Sequence, residues 1–308
     1  MVGSALVRAL ANNGDINLVL KSSSELDLLD QNAVRRFFSN FKIDEMYIAA
    51  AKVGGILANS SFPAQFIYEN LMIESNLIHT AYESGCKKIM FLGSSCVYPK
   101  LAEQPIKEEA LLSGYLEETN EAYALAKIAG IKLCHSYSEQ YKCDYRSVMP
   151  TNLYGPFDNF HKEGSHVIPG LIRRLDEAKA NNIEVFYAWG TGSPLREFMH
   201  VDDMADATIF LMNLNEEKYN KFMNNYINHI NIGTGIECSI SKLVYKISEI
   251  VGYRGQIEFD QTKPDGTPRK LLDTKILDSL GWKSKINLDE GLADTYDWFL
   301  ENRSKLRG

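Results

Sequence analysis

The chain has 308 residues, 45% of them apolar and 24% charged, with 33 basic against 40 acidic side chains for a net charge of −7. A chain of this length and composition makes one large or two unequal domains without a disulfide or metal staple, and disorder, collagen and a cystine-rich miniprotein are excluded. The acidic balance argues against a nucleic-acid or anionic-membrane binder, and no apolar run approaches the ~20 residues needed to span a bilayer.

Val2 to Asn12 reads as a helix ended near Asn12-Asn13-Gly14, Asn17–Leu20 as a strand, and Asp30 as the cap of a helix through Phe38. Glu45–Ala50 is the next strand. A helical pattern from Pro63 to Glu83 stops at Gly85. Lys88–Leu92 then reads as a strand, Ala122–Tyr141 as a helix and Tyr145–Met149 as a strand. Strands alternating with helices of this size imply right-handed crossovers, hence an α/β, Rossmann-type doubly wound parallel sheet. Beyond Pro150 the loops lengthen and fill with Gly, Pro and Asn, which predicts a smaller α+β domain.

Five cysteines (Cys86, Cys96, Cys134, Cys143, Cys238) form no C-x-x-C pair, so neither a disulfide framework nor a metal site is expected. The N-terminus lacks the features of a secretory signal, and a cytoplasmic location is the expectation. Asp202-Asp203 reads as a helix N-cap with its acidic first turn. His79, His135, His161, His200 and His229 read as structural.

In open α/β sheets ligands sit beyond the carboxyl ends of the strands, so chemistry is sought after Ala50, Leu92 and Met149. Gly93-Ser94-Ser95-Cys96 stands at one such end; on extended backbone Ser94 and Cys96 would point to one side. Tyr123 and Lys127 lie four apart on one helix face, roughly 6 Å apart in rise. Alone, Y-x-x-x-K is a weak signal. A strand-end serine some thirty residues before it strengthens it.

With those blocks, and with Ala49 to Ile56, Met149 to Pro156, Ser165 to Pro169, Arg196 to Asp203 and Lys263 to Asp273, the whole chain resembles the extended short-chain dehydrogenase/reductase family. Within it the likeness is to the epimerase-reductases of GDP-keto-sugars. The resemblance implies NADPH-dependent conversion of GDP-4-keto-6-deoxy-D-mannose to GDP-L-fucose, by epimerisation at C3 and C5 and reduction at C4, in a homodimer. It assigns residues 1–155 with about 196–235 to an NADP-binding domain, and about 156–195 with 236–308 to a sugar-nucleotide domain.

It also implies roles. Tyr123 would give a proton to the C4 oxygen, Lys127 would hold the nicotinamide ribose and lower the Tyr123 pKa, and Ser94 would polarise the carbonyl. Cys96 and His166 match the base and acid of the epimerisations, which need titratable groups on opposite faces of the sugar. Leu92, Gly93, Ser94, Ser95, Pro150, Thr151, Asn152 and Leu153 would line the nicotinamide half of NADP(H), and Gly3 and His166 would also touch the cofactor. Lys21 would meet the 2′-phosphate, although relatives carry a further arginine where this chain has Ser23. Arg174, Trp189, Arg196 and Asp265, with Lys270 nearby, would bind the sugar nucleotide. For Arg196 the bland alternative is a salt bridge to Asp202 or Asp203.

Only Gly3 matches the last glycine of the family's G-x-x-G-x-x-G, so a first strand and two glycines are expected to be absent, leaving weak cofactor binding and unpaired sheet edges. Two rival readings remain at this level: a sugar-nucleotide 4-epimerase or 4,6-dehydratase that retains NAD, and a catalytically weak, truncated nucleotide-binding protein.

Overall fold

The computed structural model describes residues 1–11, 16–162, 164–263 and 265–306. In chain order its helices are α1 (Val2–Ala11), α2 (Gln31–Asn40), α3 (Ile56–Ser61), α4 (Pro63–Glu83), α5 (Glu121–Tyr141), α6 (Val167–Ala180), α7 (Val201–Asn213), α8 (Glu216–Asn220), α9 (Ile240–Val251), α10 (Lys275–Ser279) and α11 (Leu288–Asn302). The strands are β1 (Glu45–Ile48), β2 (Lys88–Leu92), β3 (Asp144–Pro150), β4 (Asn152–Tyr154), β5 (Val185–Trp189), β6 (Leu195–His200), β7 (Ile230–Ile232), β8 (Glu237–Ser239), β9 (Gln256–Asp260) and β10 (Arg269–Lys270).

The main sheet is parallel, in the order β1-β2-β3-β7. Both of its faces are covered, which is why β2 reads as an unbroken apolar run rather than an alternating one. Successive side chains still part to opposite faces. Ile89 and Phe91 join Val34, Ile78 and Ile131 beneath α2, α4 and α5, whereas Met90 and Leu92 join Leu6, Met204 and Leu211 beneath α1 and α7. A third core gathers Ile172 of α6, Phe186 of β5, Leu243 and Ile247 of α9, and Phe299 of α11. Around it run the pair β5-β9 and a small sheet in which β6 lies between β10 and β4, with β8 antiparallel to it.

Local chemistry sets most element ends. Asp30 accepts the amides of Asn32 and Ala33 at 2.8 and 3.1 Å and so starts α2. Pro63 occupies the first turn of α4, and Gly85, at φ 80°, closes it with Cys86 N–H donating to the Ala81 carbonyl. Two expectations need correction, and a third cannot be followed. Asn17–Leu20 forms no strand: its side chains are half-buried or exposed, and among the described residues nothing pairs with it, so β1 is the sheet edge. The cap of α7 is the His200 side chain, which accepts the Asp202 amide, and the two aspartates form the first turn. The turn Asn12-Asn13-Gly14 lies outside the described residues. No described helix is long and apolar enough to cross a membrane, and the described residues hold no cluster fit for a metal ion.

Candidate active site

The carboxyl end of β2 is built around a position with no room for a side chain. A Cβ on Gly93 would stand 2.8 Å from Met149 Sδ and 3.1 Å from the Val148 carbonyl oxygen, to which the Gly93 amide donates at 2.8 Å. Ser94 is extended, but the chain then turns into a short 3-10 helix over Ser95–Val97, so the expected straight run ends there. The two side chains meet all the same. The Cys96 thiol donates to Ser94 Oγ at 3.2 Å. The turn is anchored from behind: Tyr98 OH donates to Asn231 Oδ1 at 2.5 Å and stands 2.7 Å from His229 Nε2. Burial pushes His229 down to about 3, which keeps it neutral and structural.

Helix α5 brings Tyr123 and Lys127 to this turn. The Tyr123 phenol lies near enough to Ser94 and Cys96 for both to act on it electrostatically, and Ser94 Oγ accepts from the Cys96 thiol. Burial pushes the phenol well above its ordinary value, and the Cys96 and Glu74 charges add to that. The direction opposes the expected lowering by Lys127, because desolvation of the buried phenol is the largest influence on it, and the ammonium has a nearer partner. Lys127 Nζ lies 3.0 Å from Glu74 Oε1 with both side chains buried, and 4.5 Å over the Phe91 ring, so its charge is met by a carboxylate before it reaches the phenol.

Burial also raises the Cys96 thiol. The Lys270 ammonium is the strongest opposing influence, ahead of Ser94 and Lys127. Desolvation lowers Lys270 in turn. Cys96 and Lys270 line one cavity of ≈ 50 Å³ with Tyr98, Glu117, Asn120 and Arg269.

The end of β3 supplies the next wall. Pro150 pairs with Ile232, the Thr151 amide donates to the Ile232 carbonyl at 2.9 Å, and Asn152 Nδ2 donates to the Glu197 carbonyl at 2.8 Å; Leu153 continues into β4. Other residues stand apart from this cluster. Gly3 faces Ala49, where a Cβ would make an ordinary 3.9 Å contact, so space does not demand glycine. Lys21 is exposed and pairs with Glu25 at 3.3 Å. His166 is exposed at the start of α6, and its charged neighbour is Asp158. The loop before it packs against Gly55, whose Cβ would come 3.3 Å from the Gly164 carbonyl oxygen.

The expected sugar-nucleotide residues gather around β5, β6 and β10. The Arg174 guanidinium lies 4.9 Å over Phe186 and 5.4 Å over Trp189 and donates to the Tyr187 carbonyl at 2.5 Å. Arg196 pairs in register with Lys270 and donates to the Leu195 carbonyl at 2.8 Å. It makes no salt bridge to Asp202, which binds Arg8, or to Asp203, which accepts the Lys285 and Ile286 amides. The Thr191 hydroxyl and amide hold Asp265 below the usual carboxylate range.

The buried carboxylates Glu74 and Glu197 were not singled out by the sequence. Glu74 follows Phe66 and Asn70 and precedes Leu77 and Ile78, all on the buried face of α4; its place in that stripe is the signal that marks it. Glu197 precedes a run that reads simply as strand, and nothing in the residue pattern points to its backbone partners.

A profile of the NAD dependent epimerase/dehydratase family matches residues 1–233. The chain is 58% identical over 308 residues to GDP-L-fucose synthase of Escherichia coli K12, covering 100% of this chain and 96% of that one. It is 56% identical over 302 residues to GDP-L-fucose synthase 1 of Arabidopsis thaliana, covering 98% and 91%. A solved GDP-L-fucose synthetase from Naegleria fowleri, bound to NADP, superposes with a TM-score of 0.87 at 28% identity, covering 100% and 93%. A strand-end serine near the tyrosine of a Y-x-x-x-K helix, in a chain whose family profile and relatives agree, places it in the NAD dependent epimerase/dehydratase family.

Proposed function

We propose that the chain converts GDP-4-keto-6-deoxy-D-mannose to GDP-L-fucose with NADPH, inverting C3 and C5 and reducing the C4 ketone. The observation that carries this is the Cys96 thiol donating to Ser94 Oγ at 3.2 Å, with the Tyr123 phenol near enough for both to act on it. A reductase needs the phenol. A thiol beside it, in one cavity with the half-buried Lys270 ammonium, is the part that an epimerase adds. The GDP-L-fucose synthases among the relatives support the substrate, and the NADP in the Naegleria structure supports the cofactor.

The nicotinamide end fits such a cofactor on this chain's own geometry: Gly93 admits no Cβ, and Ser94, Tyr123 and Lys127 converge beside it. Leu92, Ser95, Pro150, Thr151, Asn152 and Leu153 would frame the ring, and Lys21 would turn from Glu25 to a 2′-phosphate. Bound there, NADPH supplies the hydride that reduces C4. Tyr123, kept protonated by burial, gives its proton to the C4 oxygen as that oxygen becomes negative. Ser94 donates a second hydrogen bond to the same atom.

Before reduction, Cys96 takes the proton next to the ketone, and Lys270 stabilises the thiolate it needs for this. His166, on the loop held against Gly55, returns a proton from the opposite side. Arg174 and Arg196 take the diphosphate, Trp189 covers the base or sugar, and Asp265 accepts from a ribose or guanine donor. We assign residues 1–155 with about 196–235 to the cofactor and the remainder to the sugar nucleotide, in a homodimer.

The test is Cys96→Ser in deuterated solvent. Deuterium entry at C3 and C5 is expected to fall about 100-fold or more, while reduction of a pre-epimerised substrate persists with one NADPH consumed per sugar. Wild-type exchange in the variant, or turnover without net NADPH loss, would overturn the assignment.

A further inference from the structure

Inside the wall between α4 and α5 lies a carboxylate that no part of the proposed reaction uses. Glu74 and Lys127 are 2% and 3% exposed and 3.0 Å apart. Neither Glu74 oxygen takes a hydrogen bond from any other described group. The fold makes room for it in a specific way. Gly130, one turn beyond Lys127 in the middle of α5, leaves the space: a Cβ there would stand 2.3 Å from Phe91 Cζ and 2.7 Å from Glu74 Oε2, so one of these side chains would have to move. A glycine inside a helix weakens it, and a buried ion pair is seldom better for stability than well-packed apolar side chains. Two unfavourable features thus converge on one carboxylate, and the cation it faces is the one expected to hold the nicotinamide ribose.

We propose that Glu74 is a positioning residue: as the buried counter-ion of Lys127 it keeps the ammonium charged and aimed between the ribose and Tyr123, and its negative charge keeps Tyr123 a proton donor. This rests on the functional reading above for what Lys127 and Tyr123 do. The titratable groups around the pair are Tyr123 and Cys134 on α5 and Cys96 beyond β2, with Lys270 of β10 reaching Cys96. Glu74 acts on them in one sense, raising both Tyr123 and Cys134. Desolvation raises Glu74 itself, and Lys127 draws it back toward the ionised form.

Glu74→Gln removes the charge and keeps the shape. An unpaired buried ammonium loses its proton more easily, and so does a phenol relieved of a neighbouring anion. Both changes move the alkaline limb of the reduction rate toward lower pH, by about one unit or more. NADPH binding, followed by nucleotide fluorescence with no sugar present, is expected to weaken about tenfold. Glu74→Asp keeps the charge on a shorter stem, so its alkaline limb should stay at the wild-type position while its NADPH affinity falls. That pattern separates charge from packing, and Glu74→Asp carries the test alone if Glu74→Gln does not fold.

An alkaline limb and NADPH affinity unchanged in Glu74→Gln would overturn the proposal. So would a limb displaced equally in both variants, or an aspartate variant with wild-type affinity. Because binding is read without substrate, an enzyme that takes up NADPH but acts on another keto-sugar still tests Glu74, and only the substrate reading then fails.

Discussion

At Gly93 the volume that a methyl group would need is already held by Met149 Sδ and by the Val148 carbonyl oxygen, 2.8 and 3.1 Å from the Cβ position. The thioether can swing aside, but the carbonyl belongs to the neighbouring strand and accepts the Gly93 amide itself. Gly93→Ala is therefore expected to cost about 1–3 kcal/mol, the usual range for overpacking a filled site. Denaturant unfolding checks it, and a midpoint equal to wild type would show that the strand end yields. Gly93 was legible as part of a motif, and its reason for being glycine was not, because that reason belongs to β3. Glu74 was hidden differently. A glutamate in a 21-residue helix reads as a solvated position until the stripe of Phe66, Asn70, Leu77 and Ile78 is drawn through it.

Among the elements, β6 does more than lie in a sheet. Its Glu197 is fully buried, and its carboxylate accepts the amides of Thr234 at 2.7 Å, Gly235 at 2.8 Å and Leu272 at 3.1 Å. It thus ties the segments that follow β7 and β10 to the strand that carries Arg196 and faces Lys270. In Glu197→Gln an amide NH2 must face a backbone N–H, and one donor is left unmet. A loss of about 2–3 kcal/mol is expected, with a higher KM for the sugar nucleotide as Arg196 loosens. Calorimetric melting together with substrate titration would check both, and an unmoved melting temperature would refute the strut.

Elements with their own stop signals were readable in the sequence. The α4 boundaries follow from Pro63 and Gly85, and those of β2 from an apolar run between a lysine pair and a glycine. Asn17–Leu20 has the composition of a strand, but a strand also requires a neighbour to pair with, and composition cannot provide one. Ser94, Cys96 and Tyr123 were legible through the family resemblance rather than through spacing, since the backbone expected to stay extended past Ser94 turns into a 3-10 helix. The opposed Glu74 was not, since it reaches Lys127 from a separate helix.

For the molecule as a whole, the buried acid Glu108 is among the groups that couple stability to pH. Glu108 accepts the Asn231 amide at 3.0 Å within a polar core where Asn231 Nδ2 also donates to the Ile106 and Asp273 carbonyls, joining the loop before α5 to β7 and to the segment after β10. Burial pushes its carboxyl up to about 7. A folded pKa above the unfolded value means the native state holds the extra proton. Stability from this group is therefore greatest in acid, falls as pH rises from about 4.5 to 7, and is flat above that. The full effect is about 3 kcal/mol at most. Glu108→Gln should remove this slope, so its stability relative to wild type should rise across the window. A pH-independent difference between the two would exclude Glu108 as the source.

The parallel sheet has a consequence in time. Its three pairings, β1 with β2, β2 with β3 and β3 with β7, join residues 43, 56 and 82 positions apart in the chain. No two of its strands can pair as a local hairpin, and loop closure opposes each pairing before any burial rewards it. On the ribosome, the floor of the site cannot be completed until Ile232 has emerged. Until then the emerging strands, with β2 apolar on both faces, have only helices to shield them, so the nascent chain depends on α4 and α5 docking early, before the active site exists.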